Sequence, residues 1–167
     1  MRILGIDPGL AIVGFGFIDK KGSQLIPVQY GCIQTEANTD PALRLRIVYD
    51  SLLELIDRYK PDAIAVEKLF FNRNVTTAFD VAQARGVIML GAVQRGLEIG
   101  EYTPLQVKQA VVGYGKAEKK QVQEMVKVFL RLSAIPKPDD VADALAIAIC
   151  HAHSSTLTRR ISEATKL

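Results

Sequence analysis

The chain opens with Arg2-Ile3-Leu4-Gly5-Ile6-Asp7-Pro8-Gly9, an apolar run that ends in a carboxylate and a turn. Ile3, Leu4 and Ile6 suit a strand buried on both faces, and such a strand belongs in the middle of a sheet. Pro8 has no N–H to give to a ladder, so the strand must stop at Asp7. This stretch limits the fold to one built on a central first strand. It also holds Asp7 at the carboxyl end of that strand, where open α/β sheets bind their ligands. A carboxylate in that place either caps the Pro-Gly turn or carries chemistry. Asp7 alone does not separate the two. Other carboxylates arriving at the same sheet end would.

The following segments supply the rest of the sheet. From Ala11 to Asp19, Val13, Phe15 and Phe17 share one face, with Gly14 and Gly16 on the other. Lys20-Lys21-Gly22-Ser23 is a turn, and Leu25 to Gln34 is a third strand whose Pro27 places it at an edge. Thr39-Asp40-Pro41 starts a helix, with Leu45, Val48, Leu52, Leu55 and Ile56 on its inner face. Pro61 stops it, and Asp62 to Glu67 is a second apolar strand ending in a carboxylate. A right-handed strand–helix–strand crossover runs this strand parallel to the first and brings Glu67 to the same end as Asp7.

After a polar and aromatic loop over 68–74, the spacing predicts a helix from Thr76 to about Arg95. Its second half is apolar nearly all round apart from Arg85 and Gln94, which in so small a chain points to a contact with a partner subunit. A short strand follows over Glu98–Tyr102. Helices are then predicted from Thr103-Pro104 to about Val112, from about Ala117 to Leu132, and from Asp139 to His153. Residues 154–167 are polar and weakly periodic, which predicts a flexible tail. The expectation is one α/β domain over 1–153 with a mixed five-stranded sheet, an antiparallel meander plus parallel strands, flanked by helices.

With 167 residues, 49% of them hydrophobic, the chain can bury a useful core. No apolar run approaches eighteen residues and no signal peptide is evident, so no membrane association is expected. Cys32 and Cys150 are far apart in apolar surroundings and read as buried free thiols in a reducing cytoplasm.

The final helix holds Asp140-Val141-Ala142-Asp143-Ala144-Leu145-Ala146. Asp140 and Asp143, three apart, share a face at its N-terminus. Aspartates there complement the helix dipole or cap the helix, and Asp139 is read that way. Asp143 lies beyond the cap, inside the apolar run, and needs a partner. Asp7, Glu67, Asp140 and Asp143 thus form a set of four carboxylates that cannot all stay ionised without cations. Hard oxygen donors without histidine or thiolate select Mg²⁺ or Mn²⁺. Two such ions would stabilise the attacking water and the leaving oxygen of a phosphodiester displacement.

Taken together these motifs resemble the RuvC-type Holliday junction resolvases of bacteria. The likeness runs from Met1 to about His153. It rests on Ile3-Leu4-Gly5-Ile6-Asp7-Pro8-Gly9, on Val66-Glu67 followed by Phe70, and on Gln83-Ala84-Arg85-Gly86-Val87. It continues through Tyr102-Thr103-Pro104, Val107-Lys108-Gln109-Ala110-Val111 and the Asp140–Ala146 run. The resemblance implies a ribonuclease H-like fold, a homodimer, and Mg²⁺-dependent symmetrical nicking of two like-polarity strands in a four-way DNA junction. It puts Asp7, Glu67, Asp140 and Asp143 on the family's catalytic, metal-holding carboxylates. It also implies the RuvA–RuvB branch-migration proteins as partners.

Charge agrees with a nucleic-acid partner. Between Thr103 and Arg131 there are six basic residues and two acidic ones, against a net +3 for the whole chain. By resemblance Lys108 and Lys119 contact DNA and Phe70 stacks on a base. Lys116 and Lys120 join the DNA-binding set by position alone. Two other readings fit parts of the sequence. An actin-like ATPase shares the opening strand and turn but needs a second domain. A non-catalytic junction-binding module would gain nothing from four carboxylates near DNA.

Overall fold

The computed structural model describes residues 1–68 and 75–164. Five strands form one sheet in the order β3-β2-β1-β4-β5. The central strand is β1 (Arg2–Asp7), as its sequence requires. It pairs antiparallel with β2 (Ile12–Lys21) and parallel with β4 (Ala63–Glu67). The edges are β3 (Gln24–Gln34), antiparallel to β2, and β5 (Glu98–Tyr102), parallel to β4. Pro27 lies on edge strand β3 at a register shift opposite Phe17 and Ile18, where a missing N–H does least harm.

Alternation along β1 feeds two cores. Leu4 and Ile6 face α1 (Pro41–Tyr59) and α2 (Val75–Gln94), joining Phe17, Val48, Leu52, Ile64, Val66 and Ile88. Ile3 faces the other way, towards α3 (Pro104–Val112), α4 (Lys119–Phe129) and α5 (Asp139–Ala164), with Ala65, Val107, Val126, Leu145 and Ile149. Gly5 and Asp7 share the α5 face with Ile3, since side chains alternate along a strand.

Helix starts follow local chemistry. The Asp40 side chain accepts the N–H groups of Ala42 and Leu43, and Thr103 with Gln106 makes a reciprocal capping box for α3. The turn expected over 20–23 narrows to Gly22-Ser23, because β2 runs on to Lys21, and two helices shift their bounds. Helix α4 begins at Lys119, because Glu118 is extended and pairs with Gln121 as a capping box, and it ends at Phe129 instead of Leu132. Helix α5 runs to Ala164 and not to His153, since nothing between 154 and 164 is a proline or glycine that would end it. Of the two free cysteines, Cys150 is buried as expected, whereas Cys32 on edge strand β3 is only partly covered. No helix among the described residues is long and apolar enough to cross a membrane.

Helix α5 rests directly on strand backbone. A Cβ on Gly5 would stand 2.1 Å from the Ala144 carbonyl oxygen, and one on Gly14 would stand 2.0 Å from that of Asp140. These two glycines set the height of α5, and hence of Asp140 and Asp143, above the sheet. Gly5→Ala should therefore destabilise the protein by about 3 kcal/mol or more, at the upper end of overpacking costs, and lower Tm by roughly 6–12 °C. An unchanged melting curve would mean that α5 is not seated as described.

Candidate active site

The parallel pairing of Ile6 with Val66 brings the ends of β1 and β4 together, so Asp7 and Glu67 leave the sheet side by side on the α5 face. Asp7 pairs in register with Gly14, over which the Asp140 backbone passes. Asp143 follows one turn along α5. Three separate elements thus deliver four half-buried carboxylates to one end of the sheet.

Burial and neighbouring charge together shift the titration of Asp7, Glu67 and Asp143. Burial pushes the Asp7 carboxyl up to about 8, and the charges of Asp143, Glu67 and Asp140 add to it while Lys119 opposes. Glu67 is raised by burial and by Asp143, against the pull of Lys108 and Lys119. Asp143 is also raised by burial, despite its hydrogen bond from Lys119. Among the described residues no three Asp, Glu, His or Cys side chains stand as a ready-made metal-ligand cluster. The compensating cation in this arrangement is Lys119, the first residue of α4. Its Nζ lies 2.9 Å from Asp143 and 3.6 Å from Asp139. Burial opposes the charge on Lys119, but Asp143, Asp139 and Asp7 outweigh that and hold its pKa above the ordinary lysine value.

A cavity of about 260 Å³ opens beside the carboxylates. Its mouth carries Glu67, Asp143, Lys108 and Lys119, and its walls are Pro104, Val107, Val122, Ala146 and Ile147. The structure thus brings Lys119 to Asp143, Asp7 and Glu67, and Lys108 to Glu67. Lys116 and Lys120 are exposed, and Lys120 borders a separate groove with Glu118, Gln121, Glu124 and Met125. Phe70 and its neighbour Phe71 lie outside the described residues. Asp139 stands in the first turn of α5, where it pairs with Lys137 at 2.8 Å.

Two features escaped the sequence reading. The apolar wall of the cavity comes from α3, α4 and α5, whose inner faces carry no signal that distinguishes a cavity from a filled core. The second is Arg85, whose Nε donates to the Glu67 carbonyl at 3.2 Å and whose guanidinium also pairs with Glu101. Its signal was present, as a charged residue in the apolar half of α2.

Residues 3–151 match the family model of the crossover junction endodeoxyribonuclease RuvC. The chain belongs to this family. Among RuvC relatives, the protein named crossover junction endodeoxyribonuclease RuvC from Brevibacillus brevis is 66% identical over 152 residues, 91% of this chain and 92% of the relative. The protein of the same name from Desulfitobacterium hafniense is 58% identical over 164 residues, 98% of this chain and 99% of its own. The structure is similar to that of T. thermophilus RuvC in complex with Holliday junction substrate. The TM-score is 0.90 at 34% identity, covering 95% of this chain and 96% of that one. The ribonuclease H-like, mixed five-stranded architecture expected from the sequence is the one observed.

Proposed function

We infer that this protein resolves four-way DNA junctions by metal-dependent, symmetrical nicking of two strands of like polarity. The observation that carries this reading is the meeting of Asp7, Glu67, Asp140 and Asp143 at one sheet end, in a chain of the RuvC family. The donor set fits hard divalent cations. It is all carboxylate oxygen; burial, with the neighbouring negative charges adding to it, pushes Asp7 up to about 8, and Lys119 is drawn in as counter-charge. We assign the four carboxylates to two Mg²⁺ ions, for which Mn²⁺ would substitute. The ions when bound would supply Lewis acidity to the scissile phosphate and a water activated for attack.

The chain's own residues do the rest. The strand ends and α5 fix the carboxylates on rigid elements. Lys108, on the cavity mouth beside Glu67, is placed to neutralise a phosphate oxygen. Lys119 balances charge at Asp143 and can turn to a phosphate when cations take that duty. Phe70 is proposed to stack on a junction base, and Lys116 and Lys120 to contact phosphates further out. The test is a labelled four-way junction and its matching linear duplex, each with protein in Mg²⁺ and in EDTA. Paired symmetrical nicks in the junction alone, lost in EDTA, are expected. Tight binding without nicks would favour a junction-binding module, and cutting of both substrates would remove junction selectivity.

We further propose a homodimer joined through α2. Ala84, Ile88 and Ala92 of α2 are fully buried, the last two in the core shared by α1 and the sheet. On the opposite side Phe79 is 64%, Leu90 54% and Val93 63% exposed, and Gly86 between them has open space where a side chain would be. Their spacings of seven, four and three residues keep them on one helix face, as in a helix-packing seam. Leu90→Asp should convert the protein to a monomer by sedimentation and replace paired nicks by single ones. A dimer that persists would move the interface elsewhere. RuvA and RuvB are the partners suggested by the family likeness. A cytoplasmic location accords with two unpaired cysteines.

A further inference from the structure

Helix α2 lies on the face of the sheet opposite the carboxylates, yet one of its side chains reaches the backbone of a carboxylate residue. Arg85 is only 15% exposed. Its Nε donates to the Glu67 carbonyl, and the same guanidinium pairs with Glu101 of β5. The β1–β4 register ends at Ile6 and Val66, and Pro8 beyond it has no N–H to offer. On the other side, the Lys68 N–H donates to the Tyr102 carbonyl at 2.7 Å. Glu67 is therefore the last residue of β4, past the end of the central ladder, with its carbonyl held by a side chain from the opposite layer.

We propose that Arg85 is a positioning residue for the metal site, fixing the Glu67 peptide so that the carboxylate on the other face of the sheet stays aligned with Asp7 and Asp143. The guanidinium suits this task. It is planar, always charged, and can serve the carbonyl and Glu101 at once from one rigid fork. Without it the peptide at the strand end loses its partner and can rotate, and rotation swings the Glu67 side chain with it. The same bond joins the metal site to the helix that carries the exposed Phe79–Val93 stripe, so a shift of α2 on dimerisation would be felt at Glu67. The inference rests on the assignment of Glu67 as a metal ligand.

The test is Mn²⁺ binding to the full-length protein without DNA, followed by electron paramagnetic resonance of the free ion, on four variants beside wild type. Arg85→Gln should weaken Mn²⁺ binding about 10–100-fold, the usual effect of removing a group that orients a ligand. Glu101→Gln keeps the Arg85 bond to the carbonyl and should bind within about twofold of wild type. Arg85→Lys keeps the charge but not the fork and should fall between; it carries the test if Arg85→Gln does not fold. Glu67→Gln is the reference for loss of the ligand itself. Wild-type affinity in Arg85→Gln or Arg85→Lys, beside weak binding in Glu67→Gln, would overturn the role of Arg85 alone. Equal losses in Arg85→Gln and Glu101→Gln would also overturn it, since the ion pair and not the carbonyl bond would then be responsible. Unchanged binding in Glu67→Gln would overturn the metal assignment, and this inference with it.

Discussion

Asp7→Asn should abolish junction cleavage while leaving junction binding within a fewfold of wild type. Asp7 ends the central strand, and the change removes one negative charge without altering shape. If it helps to hold the ions that stabilise the reacting oxygens, its loss withdraws several kcal/mol of transition-state stabilisation. At 1.36 kcal/mol per tenfold, that is on the order of a thousandfold or more in rate. Binding should survive because the basic residues of α3 and α4 are untouched. Without metal it should be unchanged near pH 7, because Asp7 already holds a proton there. The measurement is a gel-shift and a single-turnover cleavage assay on the same junction. A variant that neither binds nor folds would make Asp7 structural, and a variant that still cuts would remove it from the metal site.

The same residue should make metal-free stability depend on pH. In the folded protein Asp7 titrates at about 8, and in the unfolded chain near 4. Between those values the folded state holds a proton that the unfolded state has lost. Stability therefore falls as pH rises from about 4 to about 8, and the contribution is fully present only below the unfolded value. A gap of about four units caps the effect on the order of 5 kcal/mol; a nearby lysine and partial solvation leave a few kcal/mol. In EDTA at pH 8 to 9, Asp7→Asn should melt above wild type by roughly 5–10 °C, with a shallower pH dependence. Some slope should remain, because Glu67 and Asp143 are raised as well. Saturating Mg²⁺ at pH 8 should raise the wild-type Tm and close the gap, since a ligand that binds only the folded state stabilises it. A wild-type curve that is flat from pH 5 to 9 in EDTA would show that Asp7 is not held protonated in the folded state, and one unmoved by Mg²⁺ would overturn the metal assignment.

Much of this was legible from residue order. Pro8 dictated where β1 ends, Pro27 put β3 at an edge, and Asp40-Pro41 and Thr103-Pro104 started two helices where they are observed. Those signals are local: a missing N–H, a fixed φ, a side chain that reaches its own backbone. Chain order and crossover handedness then carried Glu67 to Asp7. Helix ends were less legible. α5 continues past His153 because polar sequence without a proline or glycine can remain helical, and only position shows that it does.

The sequence by itself determined the central strand, the four acidic residues and their delivery to one sheet end, because backbone sterics, period and connection handedness act over short stretches. The tertiary structure alone decided how deeply Asp7 is buried and how near the other acids come, and with both the proton held on Asp7. It also decided that Lys119 folds back onto Asp143, that a cavity opens between α3, α4 and α5, and that Arg85 crosses to the Glu67 carbonyl. Each of these depends on where two distant segments lie relative to one another. That distance is set by packing, here by glycines that let α5 touch the strands, and no local rule of sequence contains it.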